Sequence, residues 1–240
     1  MVDLKLVVGG CSFTNYIWPT WADYASKHYT EFSRAGRVGA DNATIARGVI
    51  DTAKENDIVV VMWTGFDRWN HYDKKWHYTG SVVSNMEYFA NIFSPVERFT
   101  ATMDYIRLVN LHAKQNGYTV YNFSAFPLFE GEMGKCNDVD KLLAIYNKYK
   151  DDISNNFLQR ESLLEYQTRT KQLRKIKHSF DSNDMHPTPN CQYEYFEKFI
   201  APELNIMIDN KVRDHVQYEE QRIINGDVSP WPEYDLLFMD

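Results

Sequence analysis

Three stretches of this chain carry side chains suited to acyl transfer. Gly9-Gly10-Cys11-Ser12-Phe13-Thr14 offers a hydroxyl directly after an apolar run. Asp181-Ser182-Asn183-Asp184-Met185-His186-Pro187 offers an imidazole with carboxylates beside it. Between them, Gly36 and Gly39 lie in a loop whose backbone amides carry little side-chain cover. Acyl transfer needs these parts: a nucleophile, a base for its proton, an acid to orient that base, and amides to receive the oxyanion. A fourth stretch, Trp63-Thr64-Gly65-Phe66-Asp67-Arg68, closes the clearest strand in the chain and adds an aromatic ring and two charges.

These residues can meet only if the intervening elements bring them to one edge. Leu4 to Val8 is an apolar run with one lysine, and Asp57 to Met62 is another. Both have the pattern of strands buried on two faces. Thr30 to Ser33, Tyr118 to Phe123 and Ile176 to Phe180 read as three further strands. Helices are expected from near Pro19 to His28, over 42–56, from Ser94 to Gly117, near 138–150 and 158–175, and from about Cys191 to Phe199. Ile45, Ala46, Val49, Ile50 and Ala53 form one stripe of the second. Ser94-Pro95-Val96-Glu97 is a strong start for the third, and Gly117 is its stop.

The alternation predicts a parallel sheet with helices on both faces, and ligands then bind outside the carboxyl ends of the strands. One domain is expected over 1–212, with a structureless excursion at 68–93 suited to binding. Residues 213–240, with Pro230 and Pro232, read as a loose tail packed on that domain.

Composition narrows the function classes. The chain has 240 residues, 44% of them hydrophobic, which is enough for a substantial core. A net charge of −7 gives no basic surface for nucleic acid. No apolar run is long enough to span a bilayer, and the first residues read as a strand rather than a secretory signal, so a cytoplasmic location is expected. The 3 cysteines, Cys11, Cys136 and Cys191, share no metal-ligand spacing and suit reduced thiols, with Cys11 as a packing residue. No metal site is expected in the excursion either, since His71, His77 and Glu87 lack the spacing. Trp18, Trp21, Trp63, Trp69 and Trp76 fall near the loops named above. They serve either the core or the stacking of a sugar.

Four blocks in order along the chain, Gly10-Cys11-Ser12-Phe13-Thr14, Gly39-Ala40-Asp41-Asn42, Gly65-Phe66-Asp67-Arg68 and Asp184-Met185-His186-Pro187, resemble the SGNH/GDSL hydrolases. The resemblance is to a variant, seen in phage and marine bacterial proteins, whose first block reads Gly-Cys-Ser-Phe-Thr. It implies a three-layer α/β/α sandwich, flavodoxin-like, with a five-stranded parallel sheet. It implies Ser12 as nucleophile, His186 as base with Asp184 to orient it, and the amide of Gly39 in the oxyanion hole. It implies no metal and no organic cofactor.

Two positions depart from the family pattern. Asp67 stands where the family has asparagine, and an ionised aspartate cannot donate a hydrogen bond. The donor there is a protonated Asp67, Arg68 or Asn70, with Asn42 on the block-two loop a further candidate, or the site is not hydrolytic in the ordinary sense. Asp184 precedes His186 by two residues, where the family spacing is three, so Asp184 or a backbone carbonyl orients the imidazole. The expected activity is ester hydrolysis on a small-molecule or glycan ester, as an esterase or carbohydrate O-deacetylase. The alternatives are a non-catalytic glycan- or protein-binding member of the same fold, and a sugar O-acyltransferase.

Overall fold

Successive side chains of a strand point to opposite faces, and the central strand β3 (Ile58–Trp63) shows what that does here. Val59, Val61 and Trp63 enter one apolar cluster, while Val60 and Met62 enter the other. A strand buried on both faces needs cover on both, which is why its sequence is apolar throughout. The computed structural model describes residues 2–73, 75–81, 94–130, 138–153, 160–177, 184–208 and 210–227.

Beside β3 lie β1 (Val2–Gly10), β2 (Tyr29–Arg34) and β6 (Thr119–Ser124), all parallel, in the order β2-β1-β3-β6. Gly10 sits opposite Met62, and Trp63 opposite Ser124. The strands therefore finish level, and the chain leaves all of them at one edge. Helices α2 (Asn42–Thr52), α3 (Pro95–Asn116) and α4 (Val139–Tyr149) cover one face through Ile45, Val49, Phe99, Met103, Ile106 and Leu142. Helices α1 (Trp21–Ser26), α5 (Leu163–Arg169) and α6 (Pro189–Tyr195) cover the other. Helix α6 runs on through a π-helical turn, Phe196–Ile200, into a last turn, Ala201–Glu203. The three layers are those expected. Ser94 accepts from the Glu97 amide at 3.3 Å, and Gly117 closes α3 in the left-handed region, φ 75°.

Three expectations change. The sheet has four strands among the described residues, not five. Ile176 pairs instead with Asp184 in an antiparallel bridge, with bonds of 2.8 and 3.0 Å, so the chain folds back on itself rather than extending the sheet. Residues 178–183 lie outside the described residues. The excursion is not structureless. β4 (Arg68–Asp73) and β5 (Lys75–Ser81) form an antiparallel hairpin, with a register shift between Arg68 and Asn70. The rest of that excursion, 82–93, lies outside the described residues.

The tail begins as a helix, α7 (Asn210–Ile224). Val216 packs into the cluster containing Cys191 and Tyr195, and Ile223 packs with Ile17, Trp18 and Ile176. Residues 228–240, with both tail prolines, lie outside the described residues. No helix among the described residues is long and apolar enough to cross a membrane.

Candidate active site

Ser12 leaves the sheet two residues after β1 ends. The carbonyl of Cys11 accepts from the amides of Thr14 and Asn15, at 2.9 and 3.2 Å, which curls residues 11–15 into a tight turn. Buried polar groups then fix that turn from three sides. Gln192 donates to the Phe13 carbonyl at 3.2 Å, and the Thr20 hydroxyl donates to the Thr14 carbonyl at 2.8 Å. Arg34, at the end of β2, donates to Asn15 Oδ1 at 3.0 Å and forms an ion pair with Asp23. Asn15 passes the connection on to the Gly36 carbonyl at 3.4 Å. The Ser12 turn and the loop after β2 are thus joined by one buried network.

That loop also rests on the sheet. The Arg37 amide donates to the Gly10 carbonyl at 3.1 Å, and Ala35 donates to Val8 at 2.8 Å. A side chain at Gly36 would meet the Gly10 carbonyl oxygen at 2.3 Å, so only glycine allows this approach. Gly39 is in the left-handed region at φ 74°, where an L side chain is strained. Among the described residues, neither the Ser12 nor the Gly39 amide donates to another protein group.

His186 reaches the turn from the far end of the chain. Its Nε2 is 2.8 Å from Ser12 Oγ, and its Nδ1 is 2.7 Å from Asp184 Oδ1. Asp184 Oδ1 also accepts the backbone amide of His186 at 2.8 Å. The two-residue spacing is accommodated by the carboxylate turning back on its own histidine. Burial opposes the charge on Asp184, but the hydrogen bonds and charge of His186, with a further bond from Tyr16, outweigh it and hold the carboxyl well below its usual range. An ionised carboxylate only accepts, so Nδ1 carries the imidazole proton. Nε2 is then the acceptor, and Ser12 is the donor to it. Ser12 and Asp184 are buried, while 27% of the His186 side chain is open. Bonds from Trp18 to the Pro187 carbonyl at 2.9 Å and from Gln167 to the Met185 carbonyl at 3.2 Å hold the histidine segment.

The remaining candidates are placed differently. Asn42 Oδ1 accepts the Thr64 amide at 3.0 Å, and its Nδ2 donates to the Thr64 carbonyl and to Thr102 Oγ1, both at 3.1 Å. Its amide is spent on joining the second block to the third. Asn70 holds the Gly39 loop. With its oxygen turned to donors and its nitrogen to an acceptor, it donates to the Gly39 carbonyl at 3.0 Å and accepts from the Asp41 amide at 3.1 Å. Both N–H groups of the Asn42 amide are engaged, while Asn70 turns one of its two to the Gly39 carbonyl.

Trp63 is wholly buried and donates to Asn122 at 2.8 Å, so it belongs to the core and not to a substrate surface. Trp18 and Trp21 are buried too, which removes three of the five indoles from any sugar-stacking surface. Asp67 is buried. Arg68 is buried as well, its guanidinium 5.4 Å from the centre of the Phe126 ring. Phe126 packs on Phe13 at 4.9 Å, and Phe13 on His186 at 5.5 Å, so Arg68 stands two rings away from the imidazole.

Tyr16 was not legible as a site residue. Its ring stacks on His186, with centres 3.9 Å apart and planes 20° apart, and its hydroxyl donates to Asp184 Oδ2. Its only sequence signal is an aromatic ring four residues after the serine. Neither a protein-family model nor a curated protein matches the chain. Among solved structures, phospholipase A1 from Streptomyces albidoflavus NA297 matches at 12% identity and a TM-score of 0.49, over 85% of this chain and 99% of that one. The Bacillus subtilis protein YXIM matches at 15% identity and a TM-score of 0.46, over 85% of this chain. The chain spans 57% of the length of YXIM.

Proposed function

We propose that this protein is a serine-dependent ester hydrolase of the SGNH type. The observation that carries the reading is the 2.8 Å contact between Ser12 Oγ and His186 Nε2, backed by the 2.7 Å contact to Asp184. Ser12 Oγ attacks the ester carbonyl as His186 Nε2 takes its proton. The developing oxyanion is received by the amides of Ser12 and Gly39, which donate to nothing else among the described residues. The alkoxide leaves with the proton from Nε2. Water then repeats the sequence on the acyl-enzyme, releasing the acid and restoring Ser12. In this reading two backbone amides form the hole, so the Asp67 substitution does not remove a needed donor. The substrate class is an ester of a small molecule or a glycan.

The test is turnover of p-nitrophenyl acetate by Ser12→Ala and His186→Ala, together with fluorophosphonate labelling and mapping of the modified peptide. Each variant is expected to lose at least about 10³-fold in kcat, with the label on Ser12. Wild-type turnover in both variants refutes the mechanism. Absence of label on Ser12 alongside measurable glycan binding favours a binding protein instead.

A further inference from the structure

We propose that Tyr16 is a positioning residue for the Ser12–His186–Asp184 relay, its ring fixing the plane of the imidazole and its hydroxyl holding the second oxygen of Asp184. This rests on the hydrolytic reading above and deepens it. Asp184 Oδ1 is already engaged twice by His186, through the backbone amide at 2.8 Å and Nδ1 at 2.7 Å. Those two bonds come from one residue and fall on one oxygen. The Tyr16 hydroxyl donates to the other oxygen, Oδ2, from the segment that carries Ser12, so the carboxylate is held from a second direction. Asp184 is buried, and the bond serves a carboxylate oxygen held away from solvent.

The stacked ring acts on the other partner. With centres 3.9 Å apart and planes 20° apart, it restricts rotation of the imidazole about χ2, the motion that would carry Nε2 away from Ser12. Phe13 meets the same imidazole edge-on at 5.5 Å, so the ring is held on two sides. Tyr16 is itself braced by Trp18, edge-on at 4.6 Å, and Trp18 is tied to the Pro187 carbonyl. A tyrosine serving only the core would have no need to place its hydroxyl on this carboxylate. Tyr16 is half-buried, and it lies on the same segment as the nucleophile.

The hydroxyl also affects the proton balance. A phenol donating to a carboxylate draws electron density from it and weakens its hold on the imidazole proton. Among the described residues the titratable groups in contact with His186 are Asp184, Tyr16 and Ser12. Removing the phenol hydroxyl therefore strengthens the Asp184–His186 bond and favours the protonated imidazole. The acid limb of kcat/KM then moves to higher pH.

The experiment compares Tyr16→Phe and Tyr16→Leu with wild type. It reads kcat, KM and the pH profile on p-nitrophenyl acetate, the NMR titration of the His186 imidazole, and thermal melting as a check of folding. Tyr16→Phe keeps the stack and is expected to lower kcat roughly tenfold, leave KM within about twofold and move the acid limb upward. The imidazole titration should move in the same direction, whether or not the protein turns over ester. Tyr16→Leu removes the stack as well and is expected to be slower still. Wild-type kcat with an unmoved limb and titration in Tyr16→Phe overturns the inference. So does a Tyr16→Leu protein as fast as Tyr16→Phe, for the ring. If Ser12 takes no fluorophosphonate label in the wild-type protein, the hydrolytic reading has failed. If Ser12 labels normally while Tyr16→Phe is unchanged, only the role of Tyr16 has failed.

Discussion

Replacing Gly36 by alanine tests how the two loops of the site are held together. The new Cβ would stand 2.3 Å from the Gly10 carbonyl oxygen and 2.5 Å from the Gly10 nitrogen, where ordinary contact begins at 3.4 Å. Both obstacles are backbone at the end of a central strand, so the loop must retreat by about 1 Å, the shortfall between those distances. A retreat of that size carries the Arg37–Gly10 hydrogen bond, now 3.1 Å, and the Asn15–Gly36 bond, now 3.4 Å, out of bonding range. Two lost bonds cost about 2 kcal/mol together, and the overpacking adds about 1–3 kcal/mol. The stiffer unfolded chain returns about 0.4–1 kcal/mol. The net destabilisation is about 2–5 kcal/mol, which lowers Tm by about 4–20 °C in a chain of this length.

The same displacement moves the Gly39 amide away from the Ser12 turn, and in the proposed mechanism that amide is an oxyanion donor. A misplacement of about 1 Å at a reacting centre costs on the order of 100-fold in rate. Calorimetry and p-nitrophenyl acetate turnover read the two effects separately. A Tm within about 1 °C of wild type would refute the packing argument. A lowered Tm with unaltered turnover would show that this loop does not position the oxyanion donors.

Asp184→Asn is expected to lower kcat by about 10³–10⁴-fold, because an amide can donate to Nδ1 and so impose the wrong tautomer on His186. The same variant carries a pH signature in stability. The carboxyl is held below its usual range in the folded protein, so its contribution is present above the unfolded value near about 3.9 and is lost as pH falls below it. Wild type should exceed Asp184→Asn by about 1–3 kcal/mol at neutral pH, and denaturant titrations should show the gap closing in acid; a gap that widens there refutes the sign. Asn42→Ala removes three buried bonds to Thr64 and Thr102 and should cost about 2–4 kcal/mol. Urea unfolding checks this, and a loss below about 0.5 kcal/mol would mean the second and third blocks are joined by other contacts.

Much of the fold is legible in the sequence because its signals are local. The apolar runs at Leu4–Val8 and Asp57–Met62, the stripe from Ile45 to Ala53 and the Ser94 cap each depend on residues a few positions apart. The parts that misled depend on distant partners. The strands β4 and β5 pair only with each other, and Ile176 finds Asp184 instead of extending the sheet. Sparse apolar positions in α7 look like a tail until Val216 and Ile223 are seen to have places in two clusters.

For the candidate site, the sequence pointed to Ser12, His186 and Asp184, because a hydroxyl after a strand and an imidazole beside acids are visible without coordinates and the order of the four blocks resembles a known family. It could not decide that Asn42, Asn70 and Trp63 face inward, nor that Tyr16 closes on the histidine. Those outcomes follow from which groups are left over once Ser12 and His186, 174 positions apart in the chain, have been brought together. Side-chain amides and rings bond to whatever donor or surface they meet in that arrangement, and residue type alone does not say which it will be.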